Sequence, residues 1–122
     1  MKKIIISLSL SLATLYASNA LSDQEQANSV YNEAVSLLDS GKRMESLRGS
    51  TDVDDNLQCN ETMKSNLAKA QSLESAANGL ATAHYQLKLA AIELHACTSC
   101  ARDAIESCNR AGEALDGFKN NS

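Results

Sequence analysis

Four cysteines, at positions 59, 97, 100 and 108, constrain this chain more than any other feature, because they are arranged around a turn-like dipeptide, Asn78-Gly79. Residue 78 lies midway between Cys59 and Cys97, and residues 79 and 80 straddle the midpoint between Cys59 and Cys100. In an unbroken helix the rise of 1.5 Å per residue would hold Cys59 and Cys97 roughly 57 Å apart, whereas a disulfide needs Cα atoms within about 7 Å. A chain that doubles back at Asn78-Gly79 brings Cys59 level with the Cys97/Cys100 pair, so an antiparallel helical hairpin is expected there.

A second pattern pulls the other way. Leucine recurs every seventh residue at Leu73, Leu80, Leu87 and Leu94, with Ala76, Ala77, Ala83, Ala90 and Ala91 between. Such a seam suits close helix packing, since leucine fills volume and alanine lets a neighbouring backbone approach. An uninterrupted heptad alone would favour one helix of some forty residues. The sulfur spacing decides for the hairpin.

The amino end has its own signature. Residues 1–20 begin with Lys2-Lys3, continue through an apolar run punctuated by serines, and close on Ser18-Asn19-Ala20. A positive start, a short apolar middle and small residues at the cleavage positions define a secretory signal peptide cut after Ala20. The run is shorter than the roughly 20 apolar residues that span a bilayer, and no cysteine follows it to take a lipid, so no membrane anchor is expected. Residues 21–122 then form one domain, small for a self-sufficient core. Loss of Lys2 and Lys3 leaves nine basic against fifteen acidic residues in that domain, a net charge of −6. An acidic chain without tryptophan, with only Tyr31, Tyr85 and Phe118 as mature aromatics, is poorly equipped for nucleic acid or for anionic lipid headgroups. Proteins are the expected partners.

Proline is absent and no strand-type alternation occurs, so the fold class is all-α, a small disulfide-stapled bundle of about four helices. Ser22 and Glu25 fit a capping box, and Val30, Ala34, Leu37, Leu38, Met44 and Leu47 share one helical face that ends near Arg48-Gly49. Gly41 is expected to weaken this helix or bend it. Thr51 or Asp52 caps the next helix, with Asp54 and Asp55 in its first turn. These acids lack the glycine and terminal glutamate of a calcium loop, so they read as a charged helix start. Asp103 and Glu106 form a further candidate capping box. The expected helices are residues 22–48, 53–77, 80–97 and 103–118, packed up and down with short loops, followed by a polar, fraying tail.

Four cysteines in a small exported domain read as two disulfides. Cys59–Cys100 with Cys97–Cys108 is preferred, because both midpoints fall near turn signals. Cys59–Cys97 with Cys100–Cys108 follows closely. Cys97–Cys100 with Cys59–Cys108 would centre one bridge inside the leucine seam. A redox role for Cys97-Thr98-Ser99-Cys100 is the functional alternative, but such pairs follow a strand and face a cis-proline, and neither is present. His95 with the nearby cysteines has zinc-ligand types, yet an oxidising compartment consumes the thiolates, and His84 on the seam face reads as a half-buried packing histidine. No catalytic residues, metal site or cofactor is expected. Tyr31 and Tyr85, with Leu73, Leu80, Leu87 and Leu94, are the candidate contact residues, since exposed tyrosine is common at interfaces.

An export leader, a helical mature chain of about a hundred residues and four cysteines, three of them gathered as Cys97, Cys100 and Cys108, resemble the KikA/TrbM group of conjugation proteins encoded on transmissible plasmids. The resemblance implies a periplasmic accessory of a type IV secretion, or mating-pair formation, machine that contacts envelope or secretion-system proteins and lacks enzyme activity. It carries over no residue roles. Two other readings compete with it: a periplasmic thiol-disulfide or folding helper using Cys97 and Cys100, and a homodimeric envelope protein whose alanine-rich faces pack between subunits.

Overall fold

The computed structural model describes residues 2–121, with side chains from Asp23 to Asn121. Four α-helices account for most of the described residues, and no strand occurs among them: α1 (Lys2–Arg43), α2 (Val53–Asn78), α3 (Tyr85–Cys97) and α4 (Ala104–Asn120). The fold is thus a small helical bundle stapled by two disulfides. The leader read over residues 1–20 lies outside the residues whose side chains are described.

α1 departs from its expected limits. It spans Lys2–Arg43, so the positions of the expected capping box, Ser22 and Glu25, fall inside the helix rather than at its start. Between residue 2 and Ser22 the sequence has neither proline nor glycine to stop a helix. At its other end a single 3-10 turn, Met44–Ser46, tightens the chain, and Arg48 N–H donates to Met44 O at 3.2 Å. Gly49 follows with φ of 74°, the left-handed conformation that a glycine accepts without steric penalty.

α2 starts as its residues require. Asp52 is extended (ψ 129°), which aims its Oδ1 back at the helix, where it accepts from Asp54 N at 3.0 Å. Ser50 Oγ donates to Asp55 Oδ2 at 2.7 Å and fixes the entering loop. The helix stops at Asn78, and Gly79 and Leu80 close it by donating to Ala76 O and Ala77 O at 3.2 and 3.1 Å. Ala81 is extended (ψ 152°), a 3-10 turn covers Thr82–His84, and the chain re-enters a helix at Tyr85. Here the leucine repeat yields to the turn: Leu73 lies on α2, Leu80 in the connection, and Leu87 and Leu94 on α3. Gly79 itself is right-handed (φ −80°).

The second expected capping box is not made. Asp103 sits at ψ of 6° with no hydrogen bond from its side chain, and its backbone carbonyl accepts from Glu106 N at 3.1 Å instead. A capping side chain needs an extended backbone at that residue to reach the exposed amides, and this one is already turned into the helix.

α3 is the central element, packing against all three other helices and most extensively against α4. Its inward residues Leu87, Ala90, Ala91, Leu94 and Cys97 meet Val30, Ala34 and Leu37 of α1, Ala70, Leu73 and Ala77 of α2, and Cys108, Ala111, Leu115 and Phe118 of α4 in one cluster. Burial of each leucine there contributes about 1.5–3 kcal/mol relative to exposure. The small alanines let four helices converge with little aromatic bulk. Among the described residues no helix is long and apolar enough to cross a membrane.

Candidate interaction surface

All four sulfur atoms lie at one end of the bundle. Cys59, near the start of α2, is bonded to Cys100 in the α3–α4 connection, with Cα atoms 6.0 Å apart. Cys97, the last residue of α3, is bonded to Cys108 of α4, with Cα atoms 4.6 Å apart. The Cys97-Thr98-Ser99-Cys100 run is therefore divided between two crosslinks and leaves no free thiol. Thr98 Oγ1 and Ser99 Oγ donate to Leu94 O and Ala96 O at 2.9 and 2.7 Å, closing the end of α3. Cys97 and Cys108 are completely buried, while Cys100 is half-buried.

Two residues of the α1 region seal this end. Gly41 is buried inside α1 and faces the Cys97–Cys108 bridge so closely that a Cβ would overlap Cys97 Sγ and stand 2.8 Å from Cys97 O and 3.2 Å from Cys108 Sγ. The helix runs through Gly41 to Arg43, so the expected weak point is a point of close approach. Arg48, with a side chain only 1% exposed, turns its guanidinium under the end of α3. Its Nε donates to Ser99 O at 2.9 Å, its Nη2 donates to Cys97 O, and its Nη1 pairs with Glu45 at 2.9 Å. A cation at a helix carboxyl end meets the negative pole of the helix dipole as well as unpaired carbonyls.

The candidate contact residues divide between core and surface. Leu73, Leu80, Leu87 and Leu94 are all buried in the core cluster, so none of them is offered to a partner: the seam closes on the chain itself. Tyr31 is half-buried, with its ring edge-on to Phe118 at 5.5 Å. His84 lies beside the same phenylalanine at 5.8 Å and pairs with Asp23 at 3.4 Å, a packing position. Tyr85 alone of the six is exposed, at 56%.

Tyr85 opens a row that the sequence reading passed over. Leu89 and Ile92 are 51% and 55% exposed, and Ala96 is exposed as well. At about 100° per residue, the spacing of four, three and four puts 85, 89, 92 and 96 on one stripe along the outer face of α3. Polar pairs line both edges. Towards α4, Glu93 meets Arg110 Nε at 3.1 Å. This hydrogen bond and the charge of Glu93 hold the Arg110 guanidinium pKa above its ordinary value. Towards α2, His95 Nδ1 lies 3.6 Å from Glu74. An apolar strip with a polar rim is the anatomy of a protein–protein contact. Its signal in the sequence was a helix apolar on two opposite faces, since Leu87, Ala90, Ala91 and Leu94 already fill the inner one.

A concavity of about 530 Å³ lies between α1 and α2 and is hydroxyl-rich, with Ser36, Ser40 and Ser72 among its lining. Asn66, 4% exposed, anchors its floor by donating to Ser40 Oγ at 2.9 Å and to Met44 Sδ at 3.8 Å. Among the described residues no group of three or more histidine, cysteine or carboxylate side chains is placed to hold a metal ion.

No protein-family model, curated protein or solved structure matches the chain.

Proposed function

We propose that this protein is an exported, non-catalytic assembly component of the cell envelope that works by protein–protein contact through the outer face of α3. The observation that carries the reading is the exposed Tyr85, Leu89 and Ile92 row, rimmed by the Glu93–Arg110 and His95–Glu74 pairs, on an otherwise crosslinked body. Large side chains left in water on a short, rigid helix are a standing loss of hydrophobic stabilisation that a partner recovers. Two disulfides fit an oxidising compartment, which agrees with the leader at residues 1–20. The resemblance to the KikA/TrbM group adds the place: a periplasmic accessory of conjugative transfer among secretion-system proteins, with no nucleic acid partner.

Deletion of the gene from a transmissible plasmid tests the role, and complementation tests the surface. Plasmid transfer and pilus production fall on deletion, return with the wild-type gene, and do not return with Leu89→Glu or Ile92→Glu exported at wild-type levels. Unchanged transfer on deletion would discard the conjugation role. Full rescue by both variants would discard the surface.

A further inference from the structure

We propose that the partner covering the outer face of α3 is a second copy of this chain, packed antiparallel about a twofold axis that passes level with the point between Ala90 and Ala91. The inference rests on the reading of that face as an interface and adds its occupant.

About such an axis Leu89 stands opposite Ile92 of the second copy, and Tyr85 opposite Ala96. The bulkiest exposed residue of the row therefore meets the smallest, at both ends, and two aliphatic side chains meet at the centre. A twofold contact requires this kind of self-complementarity, because the same patch serves both subunits.

Charge supplies the second argument. Lys88 makes no ion pair within the described residues and is half-buried beside the stripe. Seven residues separate it from His95, so at about 100° per residue both occupy the same edge of α3, and His95 marks that edge as the one towards α2 through its pair with Glu74. The twofold keeps like edges together. Lys88 therefore comes within about one helical turn of His95 of the second copy and of the Glu74 beside it. The Glu74 side chain is 38% exposed and open to a further cation. This contact occurs twice per dimer. On the opposite edge Glu93 faces Glu93 of the second copy, but each is already neutralised by its own Arg110, so no like-charge penalty arises there.

A stripe of four side chains belongs to the small end of protein interfaces, so the dimer is weak, with a dissociation constant on the order of 1 µM to 1 mM. Sedimentation equilibrium of the oxidised protein purified from the periplasm, from about 10 µM to about 1 mM, reads it directly. The expected result is a concentration-dependent monomer–dimer equilibrium. Leu89→Glu removes it with helicity and melting temperature nearly unchanged, because Leu89 is 51% exposed and lies outside the core cluster. Lys88→Glu and Glu74→Lys each weaken it about tenfold, and the double charge exchange recovers most of the loss. A monomer throughout the range, a dimer indifferent to Leu89→Glu, or a double exchange no better than the single variants would overturn the proposal. A monomeric wild type whose Leu89→Glu variant still loses plasmid transfer would overturn the second copy and keep the interface. Transfer undisturbed by both Leu89→Glu and Ile92→Glu would overturn the interface itself.

Discussion

Gly41 and Cys97 are in contact across the α1–α3 interface with no room for one further carbon atom between them. In an open helix position alanine is the better residue by about 0.5–1 kcal/mol, so Gly41→Ala would stabilise the protein if the site were free. Here the new methyl group meets a disulfide and a carbonyl, neither of which can rotate away. The expected outcome is a loss of about 1–3 kcal/mol, seen as a fall in melting temperature of roughly 4–8 °C per kcal/mol. A rise in melting temperature would show that the helices separate easily.

Arg48 joins segments about fifty residues apart in the chain by donating to Cys97 O and Ser99 O. Replacement by methionine keeps the length and removes every donor, which leaves buried carbonyls unpaired and costs about 2–3 kcal/mol in urea unfolding. Lysine restores the charge but cannot span two carbonyls as a planar fork does. Arg48→Lys should therefore recover less than half of the loss.

The two disulfides differ in access rather than in number of supports. Cys100 is half-buried, whereas Cys97 and Cys108 are closed off entirely. Under limiting reductant with an alkylating reagent present, the Cys59–Cys100 bridge is attacked first at the half-buried Cys100, and Cys97 and Cys108 are labelled only as the helices melt. Peptide mapping by mass spectrometry checks the order. Replacing each pair by serine costs about 4 kcal/mol for Cys59–Cys100 and about 3 kcal/mol for Cys97–Cys108, because the first closes the longer loop.

At the start of α2 the Asp52 side chain satisfies Asp54 N. Asp52→Ala loses about 1 kcal/mol and Asp52→Asn almost nothing, since the amide oxygen can accept in the same way. Equal losses for both would mean that the charge acts on the helix dipole rather than through the hydrogen bond.

Much of this architecture was legible because it depends on local chemistry. Asp52 announces a helix start, Gly49 a left-handed stop, and Asn78-Gly79 a turn that the cysteine spacing makes necessary. The inward face of α3 was equally plain from Leu87 and Leu94. What stayed hidden depends on neighbours remote in the chain. Gly41 looks like a weak helix position until the bridge that it admits is in view, and Arg48 looks like an ordinary basic residue at a helix end until α3 arrives beneath it. Asp103 and Glu106 match a capping pattern, but the backbone between Cys100 and Cys108 is tethered at both ends and enters the helix in another conformation. Leu89 and Ile92 were overlooked for a related reason. On a helix with two apolar faces, only the positions of the other helices decide which face remains outside.

None of the four sulfur atoms belongs to α1. The crosslinks tie α2 to the α3–α4 connection and α3 to α4, so these three helices form a covalently closed ring of their own. A protease that cuts between Arg48 and Asp52 would free the first helix to dissociate. A second cut near Ala81 would release nothing until the sulfurs are reduced. The bundle thus has a detachable member and a permanent remainder.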